Sequence, residues 1–418
     1  MLDVCMSTKT LDPVTADLSA FHDIKSLTAL PENFQSLLVS IRRYLHMHPE
    51  LGYQEIQTSR FIRNKLGSYG LEVQGPIAKT GLYVDIEGAH DGPAIGYRAD
   101  IDALPIQDAK QVPYASEYEG VAHLCGHDAH TTIGIGVAML LHELRDQVHG
   151  TVRVFFQPNE EGSPSGSIAM IRDGVLEGLD AAYCIHVDPT VDVGRYGLIV
   201  GPVTAAADRF EITICAASTG HSARPHQTKD TVWIANQLVT LFYQFAGRIT
   251  DARNPAVFTV CRFNAGEAYN VIPAKVTFGG TLRCTNNDDR DYLKRSLRRT
   301  AEQFAALHDV SIDVEFDQGV PAVDNDERLI NNTETTIKQL FDEEAVYQVP
   351  LPSMGSEDFA HYLSYVPGAL IRVGTSSGPR TSHPLHDACF DIDEAALAPT
   401  AQLMAGVLLN HLRNNVTG

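Results

Sequence analysis

Positive charge is scarce in this chain: 32 Lys and Arg stand against 52 Asp and Glu, a formal net charge of -20 over 418 residues. Such an anionic balance repels nucleic-acid phosphates and anionic lipid surfaces, so neither is expected as a partner. Cysteine is sparse as well. The seven thiols, Cys5, Cys125, Cys184, Cys215, Cys261, Cys284 and Cys389, are odd in number and scattered through apolar stretches. That is not a disulfide framework, and it points to a reducing, cytoplasmic setting. The first thirty residues carry Asp3, Asp12, Asp17 and Asp23 and lack an apolar run long enough for a signal peptide or a membrane span. They read as an N-terminal extension, 1–30. Internal repeats and low-complexity segments are lacking too. Length is not limiting, since 418 residues exceed one ordinary core and fit two domains, or a large domain carrying a smaller insertion.

What is present is a regular alternation of elements. Leu37, Leu38, Ile41 and Leu45 form a stripe of period 3.6 that predicts a helix over 31–48, and a second helix is expected over 58–69. Short β-rich runs follow at 83–86 and 94–98, the second leading into Arg98-Ala99-Asp100-Ile101-Asp102-Ala103-Leu104-Pro105. A helix over 131–144 precedes a strand over 151–156, from which Gln157-Pro158-Asn159-Glu160-Glu161-Gly162 hangs; a strand over 181–185 ends at His186. This pattern predicts an α/β fold with a mainly parallel sheet, whose chemistry gathers at the C-terminal ends of its strands. After Gly201-Pro202 the order becomes β-α-β-β-α-β up to 316, the ferredoxin-like arrangement, and past Gly319-Val320-Pro321 the α/β pattern resumes. The expected organisation is therefore a catalytic domain in two parts, 31–203 and 319–418, with an inserted domain over 204–318.

The densest chemistry lies in His123-Leu124-Cys125-Gly126-His127-Asp128-Ala129-His130. Cys125 and His127 are two apart, so in an extended loop both side chains face one way and can share an ion. The same pair fits a thiol nucleophile with His127 or His130 as its base, or a buried Cys beside a structural His. Adjacent Glu160 and Glu161 at a strand end add weight to a cation, because two close carboxylates strain each other's ionisation. A divalent ion resolves that conflict if one carboxylate ligates and the other moves protons. His186 and His386 are the remaining candidate ligands. Thiolate, imidazole and carboxylate together suit zinc, nickel, cobalt or manganese better than calcium or magnesium. Asp100 and Asp102 either orient a ligand histidine or cap the loop before Pro105.

These residues, together with Gly355-Ser356-Glu357-Asp358-Phe359 and Leu385-His386, resemble the M20 metallopeptidases, in particular the amidohydrolase branch of hippurate hydrolases, aminoacylases and auxin-conjugate hydrolases. The resemblance runs from about Leu37 to the C-terminus. It implies a di-metal catalytic domain with an inserted ferredoxin-like lid and dimerisation domain, and two divalent ions (Zn, Mn, Ni or Co) held by Cys125, His127, Glu161, His186 and His386. It implies Glu160 as the general base and acid, and Asp102 as a support behind the ligands. In the insertion it implies that His226, Asn270 and Arg283 bind substrate, often across a dimer interface. The expected activity is hydrolysis of the amide of an N-acyl amino acid by a homodimer or higher homo-oligomer. A dipeptidase or carboxypeptidase of the same family, and a non-catalytic homologue that only binds ligand, are the alternatives. Two positions depart from the family: Ser218-Thr219-Gly220 stands where a Gly-Gly pair is common, and Asn159 where a small Ala is common.

Overall fold

The computed structural model describes Leu18, Leu27 and residues 30–416; the remainder of the expected extension over 1–30, with Cys5, lies outside the described residues. The chain divides into two compact units. The first comprises 1–200, 325–349 and 362–418, the second 201–324 and 350–361.

The first unit begins with α1 (Glu32–Met47) and α2 (Ile56–Gly67), then β1 (Gln74–Ile77), β2 (Gly81–Glu87) and β3 (His90–Asp100). The buried helix α3 (His127–Glu143) leads to β4 (His149–Gln157), α4 (Gly166–Arg172), β5 (Ala181–Asp192) and β6 (Tyr196–Leu198). Every residue of α3 from His127 to Leu141 is buried: from Ile133 to Leu141 the helix is apolar all round, while its polar first turns, His127 to Thr132, are enclosed among the groups described below.

In the second unit, β7 (Ala206–Cys215), α5 (Thr231–Phe245), β8 (Ala256–Ala265), β9 (Lys275–Cys284), α6 (Asn287–His308) and β10 (Ser311–Phe316) follow one another. Their sheet is antiparallel, ordered β8-β9-β7-β10. One face of β7 alternates into a core of Phe210, Ile212, Ile214, Leu238, Phe242 and Phe278, the period-two burial of a sheet covered on one side. Asp230 and Asn286 cap the two helices through side-chain oxygens. The pattern alone bounded this segment at 204–318; the structure adds 350–361, tied in by the Ala205 N–H, which donates to the Gly355 carbonyl at 2.9 Å. No hydrophobic period marks such a tie.

The chain completes the first unit with α7 (Glu327–Leu340), β11 (Val346–Gln348), β12 (Gly368–Ser376) and α8 (Leu397–Val416). Its eight-stranded sheet has the order β1-β2-β4-β3-β5-β12-β6-β11. The four central strands β4, β3, β5 and β12 are mutually parallel, and antiparallel pairs occur toward the edges. The fold is thus mixed α/β with a large, mainly parallel central sheet. Leu37, Leu38, Ile41, Leu45, Ile135, Leu140, Leu403 and Leu408 belong to one apolar core together with β-strand Val84, Ile95, Val152 and Val154. Among the described residues no helix is long and apolar enough to cross a membrane.

Candidate metal centre

Two local features differ from the sequence expectation, and both aim a candidate ligand. Cys125 and His127 do not lie in one extended loop: α3 opens at His127, with Gly126 before it at φ 86. A Cβ on Gly126 would stand 2.3 Å from Val187 Cγ2, so both the left-handed turn and the close passage of β5 require glycine. His186 is not at a strand end either, because β5 runs on to Asp192. Its pairing with β3 stops at Arg98–Cys184, whereas β12 accompanies it to Asp192. His186 therefore leaves a part of β5 whose β3 flank is open.

Within the first unit the donors of Cys125, His127 and His186 lie within 4.8 Å of one another, as do those of Cys125, Glu161 and His386, and those of His127, Glu160 and Glu161. The Cys125 Sγ is 3.6 Å from His186 Nε2, and His386 Nε2 is 3.0 Å from Glu161 Oε1. The ring orientations of His186 and His127 turn Nε2 toward the cluster. His186 Nδ1 is 2.8 Å from the Val187 carbonyl and His127 Nδ1 is 2.9 Å from the Asp102 carbonyl. A carbonyl only accepts, so each Nδ1 carries the donated hydrogen, and Nε2 is the nitrogen offered to an ion. His127 Nε2 is buried without a hydrogen-bond partner among the described residues, with Asp100 Oδ2 at 3.7 Å. An orphaned, buried imidazole nitrogen among a thiol, two further imidazoles and a carboxylate is a donor set that fits a divalent transition metal. The backbone holds the set in place: the His386 N–H donates to the Leu124 carbonyl at 2.8 Å, and the Glu161 N–H to Asp102 Oδ2 at 3.1 Å.

The electrostatics are those of a crowded ion cluster. Burial pushes the Cys125 thiol up. Hydrogen bonds to Cys125 and then Glu161 raise His386 to about 10. Burial opposes the Glu161 carboxylate, yet the His386 hydrogen bond, the His127 and His386 charges and Cys125 together hold it below the usual range. Burial also disfavours charge on His127, but the Asp100 charge, the Asp102 hydrogen bond and Cys125 together outweigh it and raise the ring well above its ordinary value. A cation entering here displaces protons from the imidazoles.

Of the other members of the opening motif, His130 and Asp128 have partners of their own, whereas His123 Nδ1 is buried without one among the described residues. His130 Nδ1 lies 2.7 Å from Asp100 Oδ1, and its Nε2 accepts the Val187 N–H at 3.0 Å. Asp128 takes Arg42 Nε at 2.8 Å and His46 Nδ1 at 2.7 Å. His123 is enclosed, and burial lowers it to about 3, so it stays neutral. Asp100 accepts from Arg98 Nη1 at 2.7 Å. Glu160 is half-buried beside Glu161. The structure places His226, Asn270 and Arg283 in the second unit. His226 lies in the exposed 3-10 turn Pro225–Gln227, the Asn270 carbonyl accepts the Ser222 N–H at 3.1 Å, and Arg283 Nη1 donates to the Met354 carbonyl at 3.0 Å. Sequence reasoning missed Glu55, whose buried carboxylate meets the backbone just before Glu160, and Arg42, the counterion of Asp128. Neither partner is near in sequence, so no spacing signals them.

A family model for the Peptidase family M20/M25/M40 matches residues 96–410. The chain is 38% identical to an N-acetyl-L-cysteine deacetylase of Bacillus subtilis over 88% of this chain and 87% of that protein. It is 36% identical to an N-acyl-L-amino acid amidohydrolase of Geobacillus stearothermophilus, over 72% and 82% of the respective lengths. Among solved structures, the Bacillus subtilis YXEP protein, described as a dinuclear metal-binding peptidase of the M20 family, superposes with a TM-score of 0.80 at 34% identity, covering 91% of this chain and 98% of that one.

Proposed function

The chain belongs to peptidase family M20/M25/M40, and from that premise we propose that it hydrolyses the amide bond of N-acyl amino acids at a centre of two divalent cations. The observation that carries this reading is the convergence of Cys125, His127, Glu161, His186 and His386, with the buried Nε2 of His127 unsatisfied among the described residues. Cys125 belongs both to the group with His127 and His186 and to the group with Glu161 and His386, an arrangement that suits two ions, as described for the YXEP protein.

Zinc, manganese, nickel or cobalt bound there would supply Lewis acidity and lower the pKa of water. Glu160 takes the proton of the attacking water and returns it to the departing amine. Of the two adjacent glutamates, Glu161 touches His386 and belongs with Cys125, which supports Glu161 as ligand and Glu160 as proton carrier. Asp102 orients His127 from behind. His226 is assigned to the developing oxyanion, Arg283 to the substrate α-carboxylate and Asn270 to substrate orientation. The second unit is read as lid and dimerisation element of a homodimer or higher homo-oligomer. The amidohydrolase and deacetylase relatives support an N-acyl amino acid over a longer peptide, and the six free thiols among the described residues support a reducing, cytoplasmic setting.

Metal analysis coupled to a hydrolysis screen over acetyl, benzoyl and indole-acetyl amino acids, with dipeptides included, tests the reading. Stoichiometric metal with turnover of acyl amino acids is expected; full occupancy with no turnover across that panel would overturn it.

A further inference from the structure

Glu55 occupies the N-cap position of α2 but makes no side-chain cap there. That role, usual for a carboxylate at a helix start, is taken by Glu50, whose Oε1 accepts the Gln57 N–H at 3.1 Å and whose Oε2 accepts the Thr58 N–H at 2.9 Å. Glu55 turns inward instead and is completely buried. Its Oε1 accepts the Asn159 N–H at 3.0 Å, and its Oε2 accepts the Thr80 hydroxyl at 2.6 Å. Among the described residues no Lys, Arg or His forms an ion pair with it. A buried carboxylate without a cation is costly, and the fold sustains that cost although α2 has its cap from elsewhere.

Both segments held by Glu55 have left-handed backbone. Asn159 stands at φ 51; Ala78 and Lys79, just before Thr80, stand at φ 46 and 73. For residues with a Cβ such angles persist only where the surroundings enforce them, and they concentrate at functional sites. Asn159 is fixed on every side. Its carbonyl accepts the Gly166 N–H at 2.9 Å, its Nδ2 donates to the Pro164 carbonyl at 2.7 Å, and its Oδ1 fills the space where a Cβ on Gly52 or Gly162 would come within 1.8 or 2.1 Å. Its N–H has one partner, Glu55.

We propose that Glu55 is a positioning residue for Glu160: its buried carboxylate holds the left-handed turn at Asn159 from which the Glu160 side chain departs. The inference rests on Glu160 being the proton carrier. With or without its proton, the carboxyl offers an acceptor oxygen to that backbone N–H, and a base displaced by about an ångström can lose on the order of a hundredfold in rate.

The full-length chain loaded with manganese, and an N-acetyl amino acid that the wild type hydrolyses, give the test. Glu55→Ala is expected to lower kcat on the order of tenfold to a hundredfold while KM stays within about twofold and metal content is unchanged. Exchange of the Asn159 amide proton is expected to speed up about tenfold or more. Glu55→Gln keeps a carbonyl oxygen for that N–H and is expected to retain most of kcat and of the amide protection. Should the alanine variant not fold, Thr80→Val removes one anchor of the carboxylate and is expected to give a smaller kcat loss with faster Asn159 exchange. Wild-type kcat in Glu55→Ala, or a kcat loss that glutamine does not rescue and that leaves Asn159 exchange unchanged, overturns the proposal. A fully metallated wild type inert toward every substrate overturns the Glu160 assignment and this proposal with it, and is distinguishable because it appears before any variant is made.

Discussion

The Asp102 carbonyl oxygen lies 2.9 Å from His127 Nδ1, and the side chain of the same aspartate, through Oδ2, accepts the Glu161 backbone N–H at 3.1 Å. One residue on the segment after β3 thereby orients two candidate ligands that arrive from α3 and from the loop after β4. Asparagine at this position would bring an N–H₂ group against a donor on one of its two sides. Asp102→Asn is accordingly expected to weaken metal binding roughly 10- to 100-fold, measured by competition with a chromophoric chelator; unchanged affinity would refute the supporting role.

Glu160→Gln separates proton transfer from ligation. The expected outcome is full metal stoichiometry with kcat lowered by roughly 10²–10⁴-fold. Loss of metal in parallel with activity would instead make Glu160 a ligand.

Exhaustive chelation is expected to abolish hydrolysis, with activity restored by adding back zinc, manganese, cobalt or nickel. A thiol alkylator applied to the metallated protein is expected to leave turnover intact, because Cys125 is buried and, in this reading, occupied as a ligand. Activity that survives chelation but not alkylation would restore the cysteine-nucleophile alternative.

The sequence revealed the donors more readily than their orientation. Cys125, His127 and the Glu160–Glu161 pair stood out because such groups rarely sit together without a task, and the parallel core of the sheet followed from strand–helix alternation. The left-handed turn at Gly126 and the continuation of β5 past His186 were not legible, since each depends on which strand lies alongside. The same holds for Glu55 and Asn159, whose bond closes a loop of 104 residues. Periodicity reports which face of an element is buried, and it is silent about a polar side chain that leaves its own helix to hold another loop.

Glu55 also sets a pH dependence of stability. Burial is the main cause of its rise from 4.5 to about 7. The unfolded chain releases this proton from about 4.5 upward, whereas the folded chain retains it until about 7. Stability therefore falls as pH rises through that window, and the cost is complete above it, roughly 3 kcal/mol. Glu55→Gln lacks this ionisation and is expected to be more stable than wild type at pH 8 in urea unfolding, with the gap closing toward pH 4. A gap that does not change with pH would contradict the assignment.

Arg42 serves the enclosed carboxylates of Asp128 and Asp391, at 2.8 and 2.9 Å, and is itself fully buried. Arg42→Met leaves two buried anions short of their shared cation and is expected to cost about 3–5 kcal/mol in chemical denaturation. A loss below about 1 kcal/mol would show that water or a shifted residue replaces the guanidinium.

His386 reaches the cluster through a backbone bond to Leu124, one residue before Cys125 and on the opposite side of the second unit in sequence. With the ligand set proposed above, a nascent chain can already display Cys125, His127, Glu161 and His186 while the last segment is still being synthesised, yet it cannot complete the centre. Cation loading then becomes a property of the finished polypeptide, since the segment that brings His386 is followed by the core helix α8, and a chain ending ahead of residue 386 would lack both.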